Sequence, residues 1–469
     1  MPIELNIYDL KTGSTIRLNS ATTSDKSVLV RYKPAPSERD EMGNWQPVSE
    51  QVIVNYTTPA AARAALTAIN KAFQAAAIKA RSEARHPGVF AQYRPDTSET
   101  LYRSEIIKGR AWISRTKLPM QMTIEWTHVY FWERDAEIST TYSDGTTSTK
   151  RITNVPGSNV ISLQAAAIQG DIEAPVRIDR VHVGTVAGKI YAAHVGAILG
   201  TQSSWSGLLE AEGATYTNIS TPGSTVANAN SSGGNYRTLP ISSVASIGIP
   251  DDPFLCMRAV WTLTGSQLVM LNGRQVRPIV RVTDQPASDV QFCFAIGATA
   301  AGGTPGQTDV ILFRTDWQSA RGDARGIVIG NALPIPPRPI VLAAGESFST
   351  LNFSLWSRRI NSGGGTINVD YVQLVPADGW RSYKTGIVDG WGTGDVLRES
   401  QDLRNAYIWN SNIVKTQFEN VNSPPIMIAP GEPASFYFQL ETSGISPGIT
   451  SIAAQEDIDI RYRPRRLTI

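Results

Sequence analysis

Alternation of apolar and polar residues is the main pattern along this chain, and it predicts short β-strands. The clearest example covers residues 120–127, where every second residue is apolar: Met120, Met122, Ile124 and Trp126. Comparable stretches recur along the chain, separated by clusters of Gly, Pro, Ser and Asn that are typical of turns. We therefore predict a mainly β protein.

One segment departs from this alternation and predicts a long helix. Thr58 is a suitable N-cap, and Pro59 suits the first helical position. From residue 60 to about residue 83 the chain is rich in Ala, and apolar residues recur at steps of three and four along one stripe: Ala62, Leu66, Ile69, Phe73 and Ala76. The His-Pro-Gly sequence at 86–88 ends this pattern. Because the helix does not recur, a βαβ repeat is not expected.

Changes of pattern divide the chain into three predicted segments. Residues 1–158 combine antiparallel strands with the long helix and form an α+β domain. Residues 159–383 show short strands at regular spacing without helices, which predicts a β-sandwich of jelly-roll type. Residues 384–469 form a β C-terminal segment, and the pattern leaves open whether it is a separate domain or completes another.

Composition indicates a folded protein and removes several classes of function. Only 18% of the residues are charged, against about 25% in typical soluble domains, which argues against disorder. The formal net charge of +2 creates no overall attraction to nucleic acid or to an anionic membrane. Cys256 and Cys293 both lie in apolar runs, so we predict two buried, unreactive side chains.

The N-terminal residues alternate like a strand and do not resemble a secretory signal, which needs a basic region followed by an apolar core. We expect no membrane span, because the chain contains no run of about 18 apolar residues. We therefore expect a protein that is made in a cytoplasm and stays soluble, which also suits an assembly released by lysis.

Several short motifs follow one another in a particular order. An N-terminal strand pair precedes the Ala-rich helix, and a strand at 89–93 then leads to a Tyr-Arg-Ser…Gly step at 102–109. A long strand ends in Phe-Trp-Glu at 131–133, and a Gly-Asp-x-x-Ala-Pro-Val junction follows at 170–176. The chain ends near Arg-Tyr-Arg-Pro-Arg at 461–465. In this order the motifs resemble those of distal tail and minor tail proteins of tailed phages.

This resemblance implies a structural protein of a phage tail tip without catalytic residues. It implies a homo-oligomeric ring around the tail lumen, with six copies, and such a ring requires closed rotational symmetry. The implied neighbours are the tail tube protein on one side and a tail hub or tape-measure protein on the other. The implied location is the virion tail, after assembly in the host cytoplasm.

A second set of motifs lies in the middle of the chain. Residues 209–212 read Leu-Glu-Ala-Glu, residues 231–236 form a Gly-rich loop, and residues 367–376 form a strong strand. These segments resemble the opening strand, the following loop and the closing strand of galactose-binding-like jelly rolls, as found in carbohydrate-binding modules. The resemblance implies an outward module that serves as a decoration, a contact surface or a receptor-binding domain.

In the resembled modules, carboxylates at the positions of Glu210, Glu212 and Asp370 hold a structural calcium ion. The physical argument agrees, because alternate residues of a strand share a face and the first and last strands commonly lie side by side. Calcium prefers several oxygen ligands. A structural calcium ion is therefore predicted here, and the alternative is that the three residues are solvent-facing charges.

Aromatic residues are the candidates for binding a host cell-surface glycan, because a ring can cover the apolar face of a sugar while polar neighbours bind its hydroxyls. The best placed are Tyr236 beside Asn235, and Trp317 beside Asp316. Further tryptophans are weaker candidates, and the mid-strand Trp356 is predicted to be a core residue. These further residues are Trp205, Trp356, Trp380, Trp391 and Trp409.

Other motifs do not indicate chemistry. The Arg-rich stretch 461–466 alternates like one exposed strand face, so direct binding of nucleic acid is not predicted. Residues 390–395 lack the third glycine and the βα setting of a dinucleotide loop. No phosphate-binding loop, zinc-ligand pair or Gly-x-Ser-x-Gly elbow is present.

The sequence supports three functional hypotheses. The leading hypothesis is a ring-forming structural component that joins the tail tube to the hub or baseplate. The alternative is a carbohydrate-binding adhesin that recognises a receptor, which requires an exposed aromatic ring in a groove of the sandwich. A glycan hydrolase is the third, and it would require two carboxylates that face each other across a cleft.

Overall fold

The computed structural model describes most of the chain. The described residues are 4–20, 27–82, 88–96, 98–183, 190–199, 207–217, 223–241, 256–284, 286–300, 302–305, 309–321, 326–337, 348–361, 365–377, 379–384, 392–400, 405–410, 413–418, 425–442 and 454–469. Antiparallel strands predominate among them and one helix is long, which confirms the predicted mainly β fold. None of the described helices is long and apolar enough to cross a membrane.

The first part of the chain forms one antiparallel sheet with a helix against it. Its elements are β1 (Glu4–Asp9), β2 (Ser14–Arg17), β3 (Ser27–Arg31), β4 (Val48–Tyr56), α1 (Pro59–Ser82), β5 (Val89–Arg94), β6 (Tyr102–Arg115), β7 (Met120–His128) and β8 (Trp132–Arg134). The strand order is β2-β1-β5-β6-β7-β4-β3, and β8 pairs with β6. The predicted long strand is therefore two strands, because the chain leaves β7 after His128 and re-enters the sheet at Trp132. We call this unit the first body.

The apolar stripe of α1 packs on the sheet, as predicted. Four of its five residues are buried: Ala62, Ile69, Phe73 and Ala76. The ring of Phe73 lies against Gly109 of β6, where an added Cβ atom would stand 2.8 Å from the ring. Gly109 therefore permits the closest approach of helix and sheet. The described helix ends at Ser82, and the predicted end at 86–88 lies largely outside the described residues.

The next strands are separated from their partners by a long insertion. They are β9 (Ile138–Ser139), β10 (Lys150–Thr153), β11 (Val160–Ser162), β12 (Ala174–His182) and β13 (Ile190–Leu199). The insertion then contributes β14 (Leu208–Glu210), β15 (Thr215–Thr217), β16 (Ser224–Ala227), β17 (Asn235–Ile241), β18 (Met257–Thr262), α2 (Gly265–Leu271), β19 (Gln275–Val282), β20 (Val290–Ala300), β21 (Asp309–Arg314), β22 (Gln318–Ser319), β23 (Ile327–Ile329), β24 (Leu333–Pro334), β25 (Phe348–Arg359) and β26 (Gly365–Pro376).

The insertion is a β-sandwich. One sheet has the order β16-β17-β26-β19-β23, with β14 also paired to β26, and the other has the order β15-β18-β25-β20-β21. Their inner faces share one apolar core, which includes Phe292, Phe294 and Phe353. The short helix α2 was not predicted. Its sequence signal is a capping box, in which the Gln267 side chain accepts the N–H of Thr264 at 2.9 Å.

The last part of the chain completes a second body together with β9–β13. Its strands are β27 (Arg381–Lys384), β28 (Val396–Ser400), β29 (Asn405–Asn410), β30 (Ile413–Phe418), β31 (Met427–Ile428), β32 (Ala434–Thr442) and β33 (Gln455–Tyr462). The last strand, β34 (Arg465–Arg466), instead pairs with β8 of the first body. One sheet has the order β10-β33-β12-β28-β29-β30, and the other has the order β11-β32-β13-β27. Strands on both sides of the predicted boundaries at 158/159 and 383/384 thus pair with each other, because strand pairing depends on remote partners that a local pattern does not reveal.

The sandwich also contacts the second body through apolar side chains. Ile279 of β19, Ile327 of β23 and Val375 of β26 pack with Tyr437 of β32 in one buried cluster. The opening strand β14 and the closing strand β26 pair with each other, so the insertion leaves and rejoins the second body at neighbouring points.

Candidate functional site

Three of the sequence motifs that lie far apart in the chain meet at one place. The backbone of Arg465 in β34 pairs with Glu133 of β8, within the first sheet. On the other side, Arg465 forms an isolated bridge with Ile172 of the 170–176 motif. The N–H of Asp171 donates to the carbonyl oxygen of Arg465 at 2.7 Å. We call this meeting point of β8, β34 and residues 170–172 the terminal junction.

Charged and aromatic side chains hold the terminal junction together. The guanidinium of Arg465 lies 4.0 Å from the ring centroid of Phe131, a cation–π contact. Glu133 accepts a hydrogen bond from Nε of Arg103 at 2.9 Å, and its other carboxylate oxygen lies 3.7 Å from Nε of Arg465. Burial lowers the pKa of Arg465, and Glu133 opposes this effect. The Arg-rich C-terminal stretch thus includes a half-buried structural contact at Arg465, whereas Arg466 is exposed.

Gly170 is required by the geometry of the terminal junction. Its φ of +126° lies in a region that side chains rarely adopt, and an added Cβ atom would stand 2.8 Å from the carbonyl oxygen of Arg465. Any other residue would therefore strain the backbone and push the last strand away. This is a physical reason for the glycine that opens the 170–176 motif.

A polar network is buried in the first body, and it was not predicted. Oε2 of Glu50 accepts the hydroxyl of Tyr32 at 2.7 Å, and Nε2 of His128 lies 3.5 Å from Oε1 of Glu50. Burial raises the pKa of Tyr32, and the nearby Glu50 adds to the shift. Nδ1 of His128 lies 2.7 Å from the hydroxyl of Ser104.

The network places a serine, a histidine and an acid in the sequence of contacts of a catalytic triad: Ser104, His128 and Glu50. The arrangement is nevertheless structural. Ser104 and His128 are fully buried, so no substrate reaches the hydroxyl. The Ser104 hydroxyl also donates to the carbonyl oxygen of Phe131 at 2.7 Å, which occupies its proton. The network connects β4, β6 and β7. It reaches the terminal junction through Phe131, whose carbonyl oxygen binds Ser104 and whose ring contacts Arg465.

The closing strand of the sandwich carries a β-bulge at Asp370. Across β19 and β26, Arg281 pairs with Tyr371 while Val282 pairs with Val369, so Asp370 is the extra residue. A bulge changes which face a side chain enters, and the carboxyl group of Asp370 is fully buried. The plain apolar pattern of residues 367–376 gave no sign of this bulge.

The structure brings two of the three predicted calcium ligands together. The N–H of Ser232 donates to Oδ1 of Asp370 at 2.9 Å, and the Ser232 hydroxyl donates to Oε1 of Glu210 at 2.6 Å. Glu212 lies in a short 3₁₀ turn after β14, and not on the strand face assumed in the prediction. Burial raises the pKa of Glu210, and repulsion from Glu212 adds to this.

A cation of the protein itself occupies the other side of Asp370. Nη1 of Arg281 donates to Oδ2 of Asp370, and both side chains are buried. Burial raises the pKa of Asp370 to about 7, with Arg281 opposing the shift and Glu210 adding to it.

The calcium site at Glu210, Glu212 and Asp370 stays a prediction, and two observations bear on its geometry. Both carboxylate oxygens of Asp370 already have protein donors, and no three His, Cys, Asp or Glu side chains among the described residues are arranged to hold a metal ion. Oε2 of Glu210 and Oε1 of Glu212 are buried without a hydrogen-bond partner.

The predicted sugar-binding residues do not form one site. Asn235 and Tyr236 begin β17 in one sheet, whereas Asp316 and Trp317 follow β21 in the other sheet. The guanidinium of Arg358 lies 4.1 Å from the ring centroid of Trp317, so this ring face is already covered.

Among the described residues, the candidates Trp356, Trp380 and Trp409 are buried or have a ring face covered by another side chain. Trp356 is fully buried, as predicted. Trp380 stacks on His194 at 5.6 Å between ring centroids, and Arg398 lies over Trp409 at 5.1 Å. Trp205 and Trp391 lie outside the described residues, as does the beginning of the 390–395 loop.

Comparisons with known proteins give little further information. No protein-family model and no curated protein sequence matches the chain. A solved structure described as the phage P2 baseplate in its activated conformation with Ca aligns with a TM-score of 0.27 and 7% identity, covering all of both chains. A TM-score this low does not establish a shared fold.

Proposed function

We propose that this chain is a structural component of a phage tail tip. In this proposal the first body forms a closed homo-oligomeric ring, of six copies, that joins the tail tube to a hub, baseplate or tape-measure protein. The sandwich projects as an accessory module. The proposal assigns the chain to the virion tail, after assembly in the host cytoplasm, and gives it no catalytic role.

The observation that carries the proposal is the terminal junction. Three of the sequence motifs that resemble tail proteins lie far apart, between Phe131 and Arg465, yet they contact one another in the folded chain. Because these motifs contact one another in the folded chain, one structural feature accounts for all of them. They are therefore not independent chance matches of sequence. Their contacts are structural, which suits a scaffold protein.

The insertion of the sandwich supports a scaffold with an accessory module. The first and second bodies are formed by residues on both sides of residues 207–377, so the scaffold remains continuous around the insertion. Consecutive strands of the sandwich, from β17 to β20, alternate between its two sheets, as they do in a jelly roll. Such an insertion adds a surface without altering the scaffold.

The adhesin hypothesis receives less support from the same residues. Arg358 covers the ring of Trp317, and Trp317 also packs against the cluster around Trp356. Tyr236 is half-buried and remains the aromatic candidate for a glycan. Among the described candidates, an adhesin role would thus depend on the sheet surface around Tyr236.

Sedimentation velocity of the full chain over a range of concentrations tests the proposal. We expect a discrete species whose mass is a small multiple of the 50.9 kDa chain. A closed ring has a fixed copy number, so its mass should not increase further with concentration. A monomer at all concentrations would contradict the proposal, as would open-ended growth.

A further inference from the structure

The buried carboxylate of Asp370, at the β-bulge in β26, has its counter-charge within the protein. Arg281 of β19 and Asp370 of β26 are both buried and form an ion pair, and Ser232 connects Asp370 to Glu210 at the end of β14. The strands β14 and β19 flank β26 on its two sides. The pair therefore lies where the first strand, the last strand and a central strand of the sandwich meet.

We infer that the guanidinium of Arg281 is the built-in cation of this site and takes the role that a structural calcium ion would have there. The sandwich then needs no metal ion for its closing strands to remain paired. This inference concerns the sandwich alone and holds whether or not the chain assembles into a ring.

The physical argument rests on the cost of a buried charge. An ionised carboxylate that leaves water is strongly destabilised unless it is paired and hydrogen-bonded. Arg281 supplies the charge, and the N–H of Ser232 supplies a second hydrogen bond to the same carboxylate. Arginine suits this role because its guanidinium stays protonated and directs several donors from one plane.

The location of the pair adds a consequence for the whole chain. Ile279 of β19 and Val375 of β26 pack on Tyr437 of the second body, so the two strands joined by the ion pair also hold the sandwich in place. Loss of the pair should therefore loosen both the closing strand and the contact between sandwich and second body.

A double-mutant cycle on the full chain at pH 8 tests the inference. Arg281→Met should lower the melting temperature of the sandwich transition by roughly 6–20 °C, because it leaves Asp370 buried without a cation. Adding Asp370→Asn should restore most of this loss, because the variant then contains no orphan charge. Hydrogen exchange of residues 365–377 should follow the same order.

Two further arms distinguish a built-in cation from ordinary loss of packing and from a metal site. Arg258→Met, at a buried arginine in the other sheet, should combine additively with Asp370→Asn. The unmodified chain should melt at the same temperature with a calcium chelator and with millimolar calcium.

Two results would overturn the inference. One is a melting temperature of the unmodified chain that rises with calcium and falls with the chelator. The other is strict additivity of Arg281→Met and Asp370→Asn. If Arg281→Met does not fold, Arg281→Lys tests the same claim, because it keeps the charge and should retain more stability than Arg281→Gln.

Discussion

The backbone of Arg465 pairs with that of Glu133, so the last strand of the chain closes the sheet that the first residues begin. The carbonyl oxygen of Arg465 also accepts a hydrogen bond from the N–H of Asp171, just before the chain enters β12 of the second body. Folding of the first body is therefore complete only when the C-terminus has returned. Cooperative unfolding of the two bodies is the expected consequence.

Gly170→Ala tests the terminal junction. The positive φ alone should cost about 1–2 kcal/mol in the free energy of unfolding, and the contact with the carbonyl oxygen of Arg465 should add to this. Chemical denaturation of the full chain measures the change. Gly213→Ala is the matched control, since an added Cβ atom there meets nothing within 4 Å. Equal stability of the two variants would show that the junction is not held at Gly170.

Phe73→Ala tests the packing of the helix. Phe73 is buried against Gly109, so its removal should lower the free energy of unfolding by about 3–5 kcal/mol. Ile78→Ala, on the exposed side of the same helix, should change it by less than about 1 kcal/mol. A pair of variants with the same melting temperature would show that the stripe does not form the core.

Glu456→Ala tests the pairing that joins the two ends of the second body. Glu456 of β33 forms a buried ion pair with Arg180 of β12, with 2.5 Å between Nη2 and Oε2. Removing the carboxylate leaves a buried guanidinium and should cost about 3–5 kcal/mol. The adjacent Asp457 pairs with the more exposed Arg151, so Asp457→Ala should cost at most about 1 kcal/mol. Similar losses in thermal melting would contradict the buried pairing.

Asp370 should make the stability of the sandwich depend on pH. Its pKa is about 7 in the folded chain, against about 3.9 in an unfolded chain, so the folded state binds the proton more tightly. The stability that the folded sandwich gains from binding this proton is fully present below about pH 3.9, and it is lost as the pH rises through about 7. The groups that face the carboxyl group are Arg281, Ser232 and Glu210, with Glu212 beyond.

Melting of the sandwich transition between pH 5 and pH 8 measures this effect. The transition should shift to lower temperature as the pH rises, and Asp370→Asn should remove most of the shift because an amide does not ionise. Asp284→Asn, at an exposed carboxylate near the same strands, should leave the shift in place. An unchanged slope in Asp370→Asn would assign the pH dependence to other groups.

The sequence was informative where structure depends on local spacing. The stripe through Phe73 predicted the helix and its buried face, and alternation predicted strands such as β7. Pairing between remote strands was not predictable in this way, because nothing near Glu456 indicates Arg180 as its partner. The charge partner of Asp370 was not predictable either, because Arg281 lies on another strand and the bulge at Asp370 leaves no trace in the alternation.

Electron microscopy of the purified full chain tests the central claim most directly. The account predicts particles that average to a closed ring with a central opening, of one size and with rotational symmetry. The ring should carry outward projections that correspond to the sandwich. A field of single-chain particles at concentrations of tens of micromolar would contradict the account, as would open filaments.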